Sequence, residues 1–189
     1  MQKVITRLVI KHTIYCKDES ATAEAVRVLA NAIIRLFTTR PKKNQSLFIS
    51  LDGSLGVGKT TATRYLLLAM GYQGKVKSPT YSLCEEHVLD LPYRALHIFH
   101  FDLYRMQTPQ EWVDAGLLEH FTQSEHPTLC IIEWPHKADY TLPIMDLAIT
   151  LIHPQDYEFE LARTIQIQAK TLKGEAILQS LNDQPLVSQ

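Results

Sequence analysis

Eight consecutive residues, Gly53-Ser54-Leu55-Gly56-Val57-Gly58-Lys59-Thr60, constrain this chain more than any other stretch. They fit the pattern G-x-x-x-x-G-K-[ST]. The apolar run Leu47 to Leu51 precedes them and a helix-like run, Thr61 to Met70, follows. A strand entering and a helix leaving is the context a phosphate-binding loop requires. Glycines let the backbone curl until successive N–H groups converge on phosphate oxygens. The helix start adds the positive end of its dipole. Lys59 is then placed to reach the β- and γ-phosphates through a charge-assisted hydrogen bond of about 1.5–3 kcal/mol. The Thr60 hydroxyl is placed to bind a Mg²⁺ that bridges the same phosphates. Residues 53–60 and Thr61 are the expected nucleotide contacts.

Composition narrows the class. A length of 189 residues predicts one domain with an adequate core. We expect it to span 1–181, with a flexible tail over 182–189. The net charge of −1 gives no bulk attraction to nucleic acid or acidic membranes. Cys16, Cys84 and Cys130 lack metal-ligand spacing and cannot all pair, which predicts reduced thiols. Lys3, Arg7 and Lys11 interrupt the N-terminal apolar residues, and no run approaches the ~20 apolar residues of a membrane span. A soluble, cytoplasmic protein is expected.

Along the chain, Val4 to Ile14 reads as a short strand. Asp18 or Ser20 is placed to cap a helix over about 21–37, with Val26, Leu29, Ile33, Ile34 and Phe37 on one face. Thr38 to Gln45 reads as a solvated basic turn around Pro41. Gly71 closes the helix that follows the loop. After a connector over 74–82, strands are expected at 81–88, 95–101, 128–132, 146–152 and 163–169. Helices are expected at 108–115, with 117–121 as its extension, and at 170–181. Strands mixed with helices predict an α/β fold: a single P-loop NTPase domain with a mixed, mostly parallel central sheet flanked by helices.

In such sheets ligands bind beyond the carboxyl ends of parallel strands. Asp102 ends the strand at 95–101, and Glu133 ends the strand at 128–132. Asp102 is placed to hold Mg²⁺ through its water shell, or else to cap a turn. Glu133 is placed to orient or deprotonate the water that attacks the γ-phosphate. Both acids are expected near the metal, together with Thr60, and their roles are exchangeable at this stage. Thr80, in Ser78-Pro79-Thr80-Tyr81, is either a γ-phosphate sensor or part of an ordinary turn. Arg105 is read as a phosphate contact, a partner contact or a surface ion pair. Trp134 is read either as a stacking surface or as core packing, with core packing preferred. His97 and His100 point to opposite faces of a strand, which argues against shared metal ligation. No guanine-reading tetrapeptide is present, which favours ATP.

Five motifs in one order give the chain a resemblance to the TsaE (YjeE) family. They are Gly53 to Thr60, Ser78 to Tyr81, Asp102-Leu103-Tyr104-Arg105, Glu111 to Gly116, and Ile132-Glu133-Trp134-Pro135. The resemblance covers most of the chain. It implies a small P-loop ATPase of bacterial tRNA threonylcarbamoyladenosine synthesis. Such a protein acts on a TsaD–TsaB-like transferase complex and meets tRNA indirectly, through that complex. It implies that Thr60, Asp102 and Glu133 belong to the magnesium and hydrolysis site, that Lys59 serves catalysis, and that Thr80 is a switch residue. Two positions depart from the family. Ser54 stands where the family carries Asp, and His136 where it often carries an acid.

Two rivals belong to other classes. A small-molecule or nucleoside kinase needs a lid that carries arginines over the phosphates. Arg64, Arg94, Arg105 and Arg163 show no such lid signature. A non-hydrolysing module in which ATP only gates assembly would tolerate replacement of both acids.

Overall fold

The computed structural model describes residues 10–39, 45–92, 94–121, 126–154 and 161–182. Among these, seven strands form one sheet in the order β1-β7-β6-β2-β5-β4-β3. Their ranges are β1 Lys11–Cys16, β2 Ser46–Asp52, β3 Cys84–Leu91, β4 Arg94–Asp102, β5 Thr128–Glu133, β6 Leu147–Ile152 and β7 Arg163–Ala169. The four central strands β6, β2, β5 and β4 are mutually parallel. The pairs β1–β7, β6–β7 and β3–β4 are antiparallel. Only β3 and β7 therefore run against the rest, and the sheet is mixed but mostly parallel, as expected from the sequence.

Four helices flank it: α1 Glu19–Thr39, α2 Lys59–Ala69, α3 Pro109–Asp114 and α4 Leu172–Asn182. Helices α1, α2 and α4 share one hydrophobic cluster with the sheet; α3 and the 3-10 turn at Leu117–Phe121 share another. Strand β5 lies between these layers and is buried at every position. Its Leu129 and Ile131 enter the first cluster, its Cys130 and Ile132 the second. A strand covered on both faces reads as a continuous apolar run rather than an alternation. Each such Leu or Ile contributes about 1.5–3 kcal/mol on burial.

Local chemistry sets the element ends. Asp18 Oδ1 accepts the Ala21 N–H at 2.8 Å, so Asp18 caps α1. Thr108 and Glu111 form a reciprocal capping box at the start of α3. Gly71 at φ 104° and Gly116 at φ 69° take left-handed conformations after α2 and α3. Gly116 thereby separates α3 from the turn at 117–121, which the sequence suggested as its extension. The first strand occupies Lys11–Cys16; the expected strand residues 4–9, most of the basic turn and the tail over 183–189 lie outside the described residues. Among the described residues no helix is long and apolar enough to cross a membrane.

Candidate functional site

Strand β2 carries the chain into the glycine loop, which curls back before α2. Gly53, Gly56 and Gly58 have φ of 140°, 78° and 106°. A Cβ at Gly53 would lie 2.4 Å from the Leu151 carbonyl oxygen of the adjacent strand, so only glycine fits there. Val57 packs into the core, and its carbonyl accepts the Arg163 Nε–H at 2.8 Å. The loop is thus anchored to β7 from behind.

Lys59 is 4% exposed. Its Nζ donates to the carbonyls of Gly53 and Ser54 at 2.8 and 2.9 Å and sits 3.6 Å from the centre of the Trp134 ring. Burial lowers its pKa, while Glu133, Asp52 and Asp102 pull it back up. Trp134 meets both readings: it is partly buried against the second hydrophobic cluster, and it also lines the cleft with one face towards Lys59, at a positive φ of 60° that turns the chain sharply after β5.

The register of the parallel strands brings the two acids together. Asp102 pairs with Glu133 across β4 and β5, and Glu133 pairs with Leu51 across β5 and β2. Both are buried. Glu133 Oε1 accepts the Thr60 hydroxyl at 2.8 Å and also lies 2.8 Å from His100 Nε2. Asp102 divides its oxygens. Oδ1 accepts the Tyr104 N–H at 3.0 Å, which realises the turn-cap reading. Oδ2 accepts the hydroxyls of Ser78 at 2.5 Å and Thr80 at 2.6 Å. Thr80 is thereby joined to the same acid that faces the loop.

An open cleft of about 250 Å³ collects these groups. Its walls include Leu55, Gly56, Gly58, Lys59, Thr60, Thr61, Ser78, Thr80, Asp102, Tyr104, Glu133 and Trp134. Gly53, Ser54 and Val57 are not among the lining residues; their carbonyls receive Lys59 Nζ and Arg163 Nε. Arg105 turns away from the cleft walls, donating to the Tyr81 hydroxyl at 3.1 Å and lying 4.3 Å over its ring. His136 Nδ1 lies 3.5 Å from Asp52 Oδ1, just before the glycine loop.

Sequence reasoning missed His100. It treated the residue only as a partner for His97, and His97 instead contacts Glu86. The usable signal was spacing: His100 lies two residues before Asp102, so both point to the same face of β4.

A TsaE family described as "Threonylcarbamoyl adenosine biosynthesis protein TsaE" matches residues 17–165. The chain belongs to the TsaE family. Among TsaE relatives, a Haemophilus influenzae protein named for tRNA threonylcarbamoyladenosine biosynthesis is 34% identical over 171 residues. That match covers 90% of this chain and 98% of the relative. A Bacillus subtilis TsaE of the same description is 34% identical over 116 residues, covering 61% of this chain and 68% of the relative. The fold matches a crystal structure of Bacillus subtilis YdiB with a TM-score of 0.66 at 22% identity, over 94% of this chain and 98% of that one.

Proposed function

We propose that this protein is a P-loop ATPase that supports formation of threonylcarbamoyladenosine in ANN-decoding tRNAs by acting on a TsaD–TsaB-like transferase pair. The observation that carries the reading is the convergence of Thr60 and Glu133 at 2.8 Å, at the start of α2 and in register with Asp102. Membership of the TsaE family supplies the pathway.

The residues fit ATP and Mg²⁺. The glycine cradle admits no Cβ at Gly53. The Lys59 ammonium rests on two neutral carbonyls, weaker acceptors than a triphosphate. Asp102 and Glu133 are two carboxylates side by side on β4 and β5 at the cleft. Mg²⁺ takes one or two carboxylates and fills its remaining positions with phosphate and water. Thr60, Asp102 and Glu133 would hold it, and when bound it neutralises charge on the β- and γ-oxygens.

The chain's own groups supply the rest. Loop N–H groups and Lys59 bind and orient the triphosphate. Glu133 accepts a proton from the attacking water or aligns it. Thr80, tied to Asp102 through its hydroxyl, is placed to exchange that contact when nucleotide arrives. None of Arg64, Arg94, Arg105 and Arg163 lines the cleft. With no arginine of the described residues lining the cleft, the protein is expected to turn over ATP slowly alone and faster with its partner. The same absence leaves the kinase reading without support.

The test is ATP hydrolysis by the purified protein, with and without a TsaD–TsaB-like pair, alongside threonylcarbamoyladenosine content of the product tRNA. Turnover that rises on adding the pair, with modified tRNA formed, is the expected result. No ATP turnover in the complete mixture overturns the ATPase reading.

A further inference from the structure

His100 is fully buried, at 0% exposure, two residues before Asp102 on β4. Phosphate binding and metal binding do not require it, and a buried imidazole without a partner is costly. Its Nδ1 has no hydrogen-bond partner, so all its polar stabilisation comes through Nε2. Nε2 meets Glu133 Oε1 at 2.8 Å. The parallel register sets His100 opposite Ile131 and Asp102 opposite Glu133, which makes His100 the diagonal, same-face neighbour of Glu133.

We propose that His100 is a positioning residue for ATP hydrolysis, holding Glu133 by one oxygen so that the other is presented to the cleft. The inference rests on the ATPase reading above. A carboxylate oxygen accepts, so in this contact Nε2 of the imidazole donates. The terminal torsion of a glutamate is broad, so a free carboxylate swings. Here two donors, His100 from β4 and Thr60 from α2, converge on Oε1. Oε2 has no protein partner among the described residues, and Glu133 lines the cleft. Thr60 also has a metal to serve when nucleotide binds. His100 is fully buried and Glu133 is its hydrogen-bond partner among the described residues, so no other acceptor competes for Nε2. Anchoring from two elements makes the water-activating acid rigid at the point where an ångström matters.

His100→Phe keeps a ring of similar size and removes the donor. His100→Asn keeps polarity, but its amide stops near the Nδ1 position. His100→Gln returns an N–H at about the reach of Nε2. Affinity for a fluorescent ATP analogue and steady-state hydrolysis with the TsaD–TsaB-like pair are measured for each, with Tm as the folding control. The expected result is that His100→Phe and His100→Asn bind the analogue within about twofold of wild type. Their kcat falls roughly 10–100-fold at unchanged KM, the usual range for residues that orient a reacting ligand. His100→Gln recovers most of that loss. In a Glu133→Gln background, His100→Phe adds no further loss, because residues that act as one unit are non-additive. If His100→Phe does not fold, His100→Asn against His100→Gln decides. The proposal is overturned if the foldable donor-less variant keeps kcat within about twofold of wild type, if His100→Gln fails to recover activity, or if the His100 and Glu133 losses multiply. A wild-type protein with no turnover defeats the ATPase reading instead, which separates the two failures.

Discussion

Lys59 and Glu133 both line the cleft and are expected to fail differently. Lys59→Ala removes the only ammonium that lines the cleft among the described residues. ATP affinity should fall by at least about tenfold, the equivalent of a charge-assisted hydrogen bond. Titration with a fluorescent ATP analogue reads it directly. Glu133→Ala removes an acceptor and no phosphate contact. Binding should persist while kcat falls roughly 10²–10⁴-fold, the usual contribution of a general base. Normal hydrolysis by Glu133→Ala in the assembled system would show that the base lies elsewhere. Gly53→Ala is a different kind of lesion. It adds a Cβ 2.4 Å from a backbone carbonyl at a φ of 140°, and neither the sheet nor the loop has slack to yield. The backbone conformation alone costs about 1–3 kcal/mol. Lower Tm and lost nucleotide binding should appear together.

The short helix α3 shows what a conserved-looking motif does when it is not chemistry. The segment Glu111 to Gly116 contributes to the resemblance, yet none of its residues lines the cleft. Glu111 Oε1 accepts the Thr108 N–H at 3.0 Å, and Gly116 ends the helix. Between them Trp112 is fully buried, with its ring centre 5.3 Å from that of Phe101, the residue before Asp102. The helix is therefore a brace behind the strand that presents the acid. Thr108→Ala should cost about 1 kcal/mol through loss of the cap. For a domain of this size that is a fall of roughly 2–4 °C in Tm. Hydrolysis at a temperature well below Tm should be unchanged, and a thermal melt with a kinetic assay checks both.

Across the whole molecule, burial governs the response to alkali. All three cysteines are free thiols. Desolvation raises Cys16 and holds Cys130 well above the ordinary thiol range. Burial, with Glu86 and Glu85 nearby, pushes Cys84 up to about 12. The unfolded chain ionises its thiols near pH 8.5. Between that value and the raised native values the unfolded state binds fewer protons, so stability falls as pH rises. Lys59 opposes this, since its lowered native pKa makes stability rise with pH in its own window, but Tyr65, raised by its hydrogen bond to Glu19, acts with the three thiols. Urea midpoints at pH 8 and pH 10.5 should show the native state weaker at the higher pH. At pH 8 the native thiols should react with a disulfide reagent far more slowly than those of the unfolded chain.

The loop, the helix caps and the apolar strands were legible in the residues because each depends on neighbours in sequence: glycine φ freedom, the Asp18 cap, the buried run before Glu133. Sequence order also placed Asp102 and Glu133 at strand ends, where α/β sheets bind ligands. It did not say that these strands are adjacent. Parallel register decided that, by setting Asp102 opposite Glu133 and so bringing His100, already on the Asp102 face by its spacing, beside Glu133. Nor did it say that Trp134 would lie under Lys59 at the cleft, or that Arg163 reaches back to brace Val57. Those contacts join residues far apart in the chain. No local rule of spacing or propensity encodes them, and only the packed sheet creates them.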